Sequence, residues 1–483
     1  MTPNLANETW LQILTELRVV DYRGFQHLKK VALVNRQLSG LARTLLFDTL
    51  SFRPYFVRDS EEAPPRTLCL PSPEEFEKQS RLLRFYTSPM VAPGVRGLWV
   101  SLKSNRRSDG RCPGCSYEDC PGTHALMDAL CDRLTLFTGL KRLSFRCSRL
   151  TESLLAKIGQ ISRSGPGLRI EVDSCSRDVS LQGTIPSPSI ALTHLNLDTL
   201  DIDDVRFWLA VIDPARIQAL RLGEYSNIYL DHVAPETMSV FPRLTDLFVR
   251  LSVGALVTDL RFWGSRFPAL KKLRLDTDAS EDLVYLAPDH SAPFPHLECY
   301  TGDTIYLPLL LPCRSLRCLQ LSAFGSYEIL GELLCLCPPT LETLILGENN
   351  PPDIPEYSLL RRVFQAVPNL LELQMDFIVM YDSADDWQHL RQSAKFFEEI
   401  GSTPIFPSGL RALKLRQIYW SFGLTSRDAP KLELAGEAVD TWERELRVRL
   451  PHLQELYVHA PHFDIGGPDF DFSWEQEDEM VFC

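Results

Sequence analysis

The sequence lacks any uninterrupted apolar run of the ~18 residues needed to cross a bilayer. Its densest leucine cluster, Leu309, Leu310 and Leu311, is closed off by Pro308 and Pro312. The opening segment, MTPNLANETW, has no basic lead and no apolar core, so no secretory signal is expected. Positive charge is in deficit: 50 Lys and Arg against 63 Asp and Glu leave −13. That balance argues against nucleic-acid binding, which draws on a basic surface, and no membrane partner is expected either. HExxH, GxxxxGK and GxSxG are missing, which leaves no positive argument for an enzyme. Thirteen cysteines, an odd number scattered along the chain, read as reduced thiols of a cytoplasmic or nuclear protein. Hydrophobic residues at 45% and charged residues at 23% exclude a wholly disordered chain.

What the sequence has is leucine, 77 in 483 residues, and the leucines are phased. The pattern leucine, two residues, leucine, one residue, apolar recurs. It appears at 140–145, 192–197, 217–222, 244–249, 270–275, 316–321, 341–346, 370–375, 410–415 and 453–458, with weaker copies at 95–100, 168–172 and 297–302. Alternation over such short runs predicts strands with one buried face. Helical patterns lie between them at 203–212, 327–337 and 357–367, and a further amphipathic helix is expected at 385–400. Proline stands two residues before the next leucine at Pro242, Pro268, Pro295, Pro339, Pro368 and Pro451. It cannot continue a helix, so it marks the return to a strand. Most of the steps between middle copies fall within the 20–29 residues of a leucine-rich repeat. The expected fold class is therefore α/β: a curved leucine-rich repeat solenoid, parallel strands on the concave face and helices outside. One unit cannot bury enough apolar surface alone, so stacking is required.

Residues 1–50 do not follow the repeat. Leu5, Trp10, Ile13, Leu14 and Leu17 recur at roughly helical spacing, and Phe25, Leu28, Val31, Leu33, Val34, Leu38 and Leu41 form a second pattern. A small all-helical domain is predicted. With Glu8, Asp21, Asn35 and Arg36 in place, this segment resembles the F-box motif, although Ala6 stands at the usual proline and Leu38 at a common tryptophan. The resemblance covers about a tenth of the chain. It implies a substrate receptor of Skp–cullin–F-box ubiquitin ligases. Leu5, Glu8, Trp10, Ile13, Leu14, Leu17, Leu28, Val31, Val34, Leu38 and Leu41 would then meet the Skp adaptor, and through it a cullin–RING ligase, while the repeats hold an unknown protein substrate. The alternative is a helical cap on a repeat scaffold with no ligase role.

The expected organisation is a helical domain at 1–50, a linker and capping helix at 51–92, repeats at 93–462 with a Cys-rich insertion at 103–124, and an acidic tail at 463–483. Within the insertion Cys112, Cys115, Cys120 and His124 have the spacing C-x2-C-x4-C-x3-H, a donor set suited to one structural zinc ion. No other cofactor is expected. A flexible loop with unligated thiols is the competing reading.

In each strand the leucines point to the core and the intervening residues to the opposite face. Arg221, Arg250, Lys272 and Arg274 fall on three consecutive strands, with Phe248 among them. They are expected either to form one basic patch for an acidic partner segment or to be neutralised by Asp246, Asp276 and Asp303.

Overall fold

The structure is a computed structural model. It describes residues 6–19, 24–34, 36–58, 67–69, 72–103, 124–165, 167–177, 190–198, 202–223, 238–251, 257–277, 293–323, 332–349, 357–381, 406–421, 444, 448, 450 and 453–459. The chain falls into two compact units, Met1–Asp278 and Ala279–Cys483.

In the first unit three helices come first: α1 (Asn7–Val19), α2 (Gly24–Val31) and α3 (Arg36–Leu46). Leu14, Leu28 and Ala42 are fully buried at their centre, and Val31, Leu41, Leu45 and Leu46 pack around them. The Gln37 amide donates to Asn7 Oδ1 at 2.7 Å and ties α3 to α1.

The sheet begins earlier than the repeat pattern implies. Within the expected linker, β1 (Thr49–Arg58) and β2 (Thr67–Cys69) form an antiparallel pair, and β1 runs parallel to β3 (Gly97–Lys103). Pro54 is the reason β1 is hard to read from its sequence. The register with β3 slips between Phe52 and Tyr55, so that proline, which has no N–H to offer, sits in a bulge. The freed amide of Arg53 donates to the side chain of Gln79 at 3.2 Å. Gln79 is buried on α4 (Pro73–Tyr86), a helix capped by Ser72 Oγ with proline in its first turn.

Beyond β3 the unit is a regular ladder. Its further strands are β4 (Arg142–Arg146), β5 (Arg149–Leu150), β6 (Leu168–Asp173), β7 (Ser176–Arg177), β8 (Leu192–Asp198), β9 (Ala219–Leu222), β10 (Asp246–Leu251) and β11 (Lys272–Thr277). The main sheet runs β2-β1-β3-β4-β6-β8-β9-β10-β11, and β5 and β7 make a separate small parallel pair. Helices α5 (Ala125–Arg133), α6 (Glu152–Ser164), α7 (Ile202–Val211) and α8 (Val257–Arg266) lie between strands. Leu98, Leu143, Ile170, Leu195, Leu220, Leu247 and Leu273 form one buried row. Val100, Phe145, Val172, Leu197, Leu222, Val249 and Leu275 form the next. At ~1.5–3 kcal/mol per buried side chain these rows are the main cohesive term.

The second unit repeats the scheme with β12 (Cys299–Gly302), β13 (Cys318–Ala323), β14 (Thr343–Asn349), β15 (Glu372–Tyr381), β16 (Ala412–Ser421) and β17 (Glu455–His459), parallel and in sequence order. Its helices include α9 (Leu307–Leu310) and α10 (Tyr357–Ala366). The amphipathic helix expected at 385–400 lies outside the described residues.

Many strands in both units are prepared the same way. The leucine N–H donates back three residues, closing a turn: Leu244 to Phe241, Leu270 to Phe267, Leu297 to Phe294, Leu341 to Pro338 and Leu370 to Val367, at 3.1–3.3 Å. Proline is the second residue of all five turns, where its fixed φ suits the geometry. In the earlier turn from Phe137 to Leu140, glycine is required: a Cβ on Gly139 would meet the Pro93 carbonyl oxygen at 2.4 Å. Two successive N–H groups then donate to one carbonyl of the preceding repeat. Lys271 and Lys272 share Thr245 O, Glu342 and Thr343 share Arg317 O, and Arg411 and Ala412 share Leu371 O.

After β4 and β6 the chain turns through left-handed Cys147 and Ser174, with φ of 48° and 50°. Buried Ser148 and Cys175 follow, at the position where leucine-rich repeats carry asparagine or cysteine. They bridge neighbouring repeats: Ser148 N donates to Cys175 Sγ, which donates to Phe145 O, both at 3.4 Å.

Candidate functional site

Two surfaces carry the residues singled out by sequence. On the helical domain the structure divides them. Leu14, Leu28 and Leu38 are buried in the domain's own core, with Val31 and Leu41 packed against it. Glu8, Ile13 and Val34 are exposed and Trp10 is half-buried. Leu5 and the side chain of Leu17 lie outside the described residues. The structure adds Leu11 and Leu33 to the exposed set, Leu33 at 86% and Val34 at 68% exposure. An open groove runs beside them, lined by Ala32, Leu33, Arg36, Ser39, Gly40 and Arg43. Helical periodicity ranks all these residues alike. Only the packing of α1 on α2 and α3 separates core from surface.

Of the expected zinc ligands, Cys112, Cys115 and Cys120 lie outside the described residues. His124 has both ring nitrogens engaged. Nδ1 is 3.1 Å from the hydroxyl of buried Tyr55, and Nε2 is 3.1 Å from Arg149 Nη1. Arginine only donates, so Nε2 accepts, and the neutral ring carries its proton on Nδ1. A metal at His124 would have to displace one of these partners. Among the described residues no three His, Cys, Asp or Glu side chains gather as a metal site, and no helix is long and apolar enough to cross a membrane.

On the sheet of the first unit the side chains opposite the core line up in register across strands. One row is Gly97, Arg142, Arg169, His194, Ala219, Asp246 and Lys272. A second is Trp99, Ser144, Glu171, Asn196, Arg221, Phe248 and Arg274. The expected basic patch is only partly available. Phe248 is buried at 3% exposure, and the Arg274 guanidinium lies over its ring, 4.7 Å from the centroid. Arg250 pairs with Asp276 at the outer limit of an ion pair, 4.0 Å. Asp303, expected outward on the next strand, is buried in the second unit. Arg221 is exposed and makes no ion pair among the described residues.

Towards β3 the face differs. Arg142 stacks on half-exposed Trp99, 4.7 Å from its centroid, and pairs with Glu171 at 2.7 Å. Arg146 pairs with Asp173 at 2.9 Å. His194 sits between Arg169 and Arg221 on the flanking strands. Burial holds its pKa below the ordinary histidine value, Arg169 and Arg221 add to that, and Asp246 opposes it. The carbonyl oxygen of the Asn196 side chain is buried with no donor among the described residues. Alternation along each strand marks His194 and Asn196 as outward. Trp99 belongs to a degenerate copy of the repeat, which hides it. In the second unit Lys414 lies between Glu372 and Glu455 at 3.0 and 3.4 Å, and these bonds raise its pKa.

No family model and no curated protein matches the chain. Among solved structures it is similar to the leucine-rich repeat-containing protein LegL7 from Legionella pneumophila, with 13% identity and a TM-score of 0.32 over 63% of this chain and 97% of that one. It is also similar to a chain of the mouse RP105/MD-1 complex, with 14% identity and a TM-score of 0.32 over 71% of this chain; it spans 55% of that chain's length. The fold assignment rests on the strand ladder and its leucine rows rather than on these distant likenesses. By that evidence the chain has a leucine-rich repeat fold of mixed α/β class, preceded by a small helical domain.

Proposed function

We propose that this protein is a substrate-recognition adaptor of a cullin-based ubiquitin ligase, its helical domain docking on the Skp adaptor and its repeat face holding a protein substrate in the cytoplasm or nucleus. The observation that carries the reading is the exposure of Leu11, Ile13, Leu33 and Val34 on a three-helix domain that buries Leu14, Leu28 and Ala42 at its own centre. A group of apolar side chains gathered outside a domain's core marks a surface for a partner. The F-box resemblance of the same helices names the adaptor. Burial of Leu14, Leu28 and Leu38 favours the second reading, a repeat scaffold without a ligase, because these motif residues are accounted for without a partner.

Co-purification of the full chain with the Skp adaptor tests this. Ile13→Arg and Val34→Arg replace exposed side chains, so the fold persists. An unpaired charge forced into an interface costs several kcal/mol, enough to remove micromolar binding. Loss of the adaptor from both variants is expected. If wild type fails to bind it, or both variants retain it, the scaffold reading replaces the ligase.

A further inference from the structure

The outward face of β3 to β9 holds one uncompensated positive site and one aromatic platform at a fixed separation. The outward positions of β4, β6, β8 and β9 carry Arg142, Arg146, Arg169 and Arg221 with Glu171, Asp173 and Asp198, and Asp246 follows on β10. Arg142 and Arg146 are spent on Glu171 and Asp173. Arg169 and Arg221 make no ion pair among the described residues, and they stand on the two strands that flank β8. Between them is His194, which both guanidiniums reach electrostatically, and the unsatisfied Asn196 oxygen, which calls for an N–H donor. Two guanidiniums beside an orphaned acceptor suit a group that offers a carboxylate and an amide N–H together, as an acidic residue within a peptide does.

We infer that this face binds an extended peptide segment, seating an apolar residue on Trp99 and an aspartate or glutamate four positions away between Arg169 and Arg221, with a peptide N–H on Asn196. This rests on the reading of the repeat sheet as a binding face. The spacing follows from the ladder. β8 lies three strands beyond β3, ~14 Å at the ordinary inter-strand distance, which an extended chain at ~3.3 Å per residue spans in about four residues. Residues four apart on an extended chain point the same way, so both anchors face the sheet together. The two guanidiniums that make no ion pair among the described residues match one carboxylate. A nucleic-acid backbone or a phosphorylated segment brings more negative charge than the site neutralises, and it would meet Glu171, Asp173 and Asp246.

A random twelve-residue peptide library displayed on phage and selected on the full chain tests this, with fluorescence anisotropy of the enriched peptides. The expected consensus is an aromatic or aliphatic residue followed four positions later by Asp or Glu. The same two residues in reverse chain direction are equally acceptable. Arg169→Gln with Arg221→Gln should weaken binding at least about tenfold, and so should Trp99→Ala and Asp→Asn or Glu→Gln in the peptide. Arg169→Lys with Arg221→Lys should stay within about threefold, which separates charge from folding, and Arg274→Gln within about twofold. No enriched binder, a consensus without the acidic residue, indifference to the Gln pair, or tighter binding of a phosphoserine peptide or an RNA oligonucleotide overturns the inference. Peptides abolished instead by Arg274→Gln overturn this site but leave the repeat face as the binding surface. Peptides indifferent to every outward substitution remove both.

Discussion

Leu220 offers the cleanest test of the alternation on which the outward face depends. It is fully buried on β9, in register with buried Leu195 on one side and Leu247 on the other. Leu220→Ala removes three carbons. At ~0.8 kcal/mol per buried methylene the transfer loss is roughly 2.4 kcal/mol. The unfilled space brings the total to about 3–5 kcal/mol, because both neighbours are held by their own strands and cannot collapse inward. Arg221, the next residue, points the other way and is exposed. Arg221→Ala should cost less than about 0.5 kcal/mol. Adjacent positions thus differ by an order of magnitude. Urea titration read by hydrogen exchange of peptides spanning β8 to β10 keeps the second unit out of the measurement. With a slope of about 3 kcal/mol per molar urea, the Leu220→Ala midpoint falls by about 1 M and that of Arg221→Ala stays in place. Equal losses at the two positions, or a larger one at Arg221, would refute the assignment of faces.

The thiols should separate by burial. Burial pushes Cys175 up to about 12 and Cys313 up to about 11 from 9.0, so in the native protein both remain protonated at pH 8.5 and resist iodoacetamide, while exposed Cys335 is alkylated first in a mass-spectrometric time course. The raised values also mean that these two groups favour the fold below pH ~9 and lose that contribution as pH rises towards 11–12, so the alkaline limb of a stability profile should steepen there. For zinc, His124→Ala should leave the metal content found by elemental analysis unchanged, whether that content is zero or one. It should lower stability by about 1–3 kcal/mol through the loss of two hydrogen bonds, those to Tyr55 and Arg149. A fall in zinc from one to zero would restore His124 as a ligand.

The strands were legible because their signal is local and period two. Each phased leucine copy became a strand, down to the weak copies that became β3, β6 and β12, and its leucines are buried where their side chains are described, except half-buried Leu453 before β17. The segment 203–212 became α7 and 357–367 became α10 for the same reason at helical period. β1 was not legible, because Pro54 breaks its alternation and the compensating acceptor, Gln79, is 26 residues away. The outward face was legible as positions but not as chemistry. Whether a cation is spent depends on the strand next door: Arg250 meets Asp276 and Arg142 meets Glu171, while Arg169 and Arg221 make no ion pair among the described residues. Phe248 is outward by alternation yet buried, and nothing in its own strand announces that Arg274 covers it. The helical domain shows the converse limit: a motif lists apolar residues, and only tertiary packing says that Leu28 faces inward and Val34 outward.

The turn that closes on the leading leucine of many repeats, together with the single carbonyl that takes two successive N–H groups of the following repeat, has a consequence for how such a chain tolerates change. Phase is set afresh wherever that turn recurs. An added or deleted residue in a connection between a strand and the next turn shifts nothing downstream, since the next leucine is fixed by its own three-residue closure and by its predecessor's carbonyl. A residue gained or lost between that leucine and the middle of the strand reverses the side chains of the rest of that strand. Length variation is therefore absorbed in the connections, as the 29- and 40-residue intervals between the later strand copies already show. The protein counts its repeats with a device that forgets earlier errors.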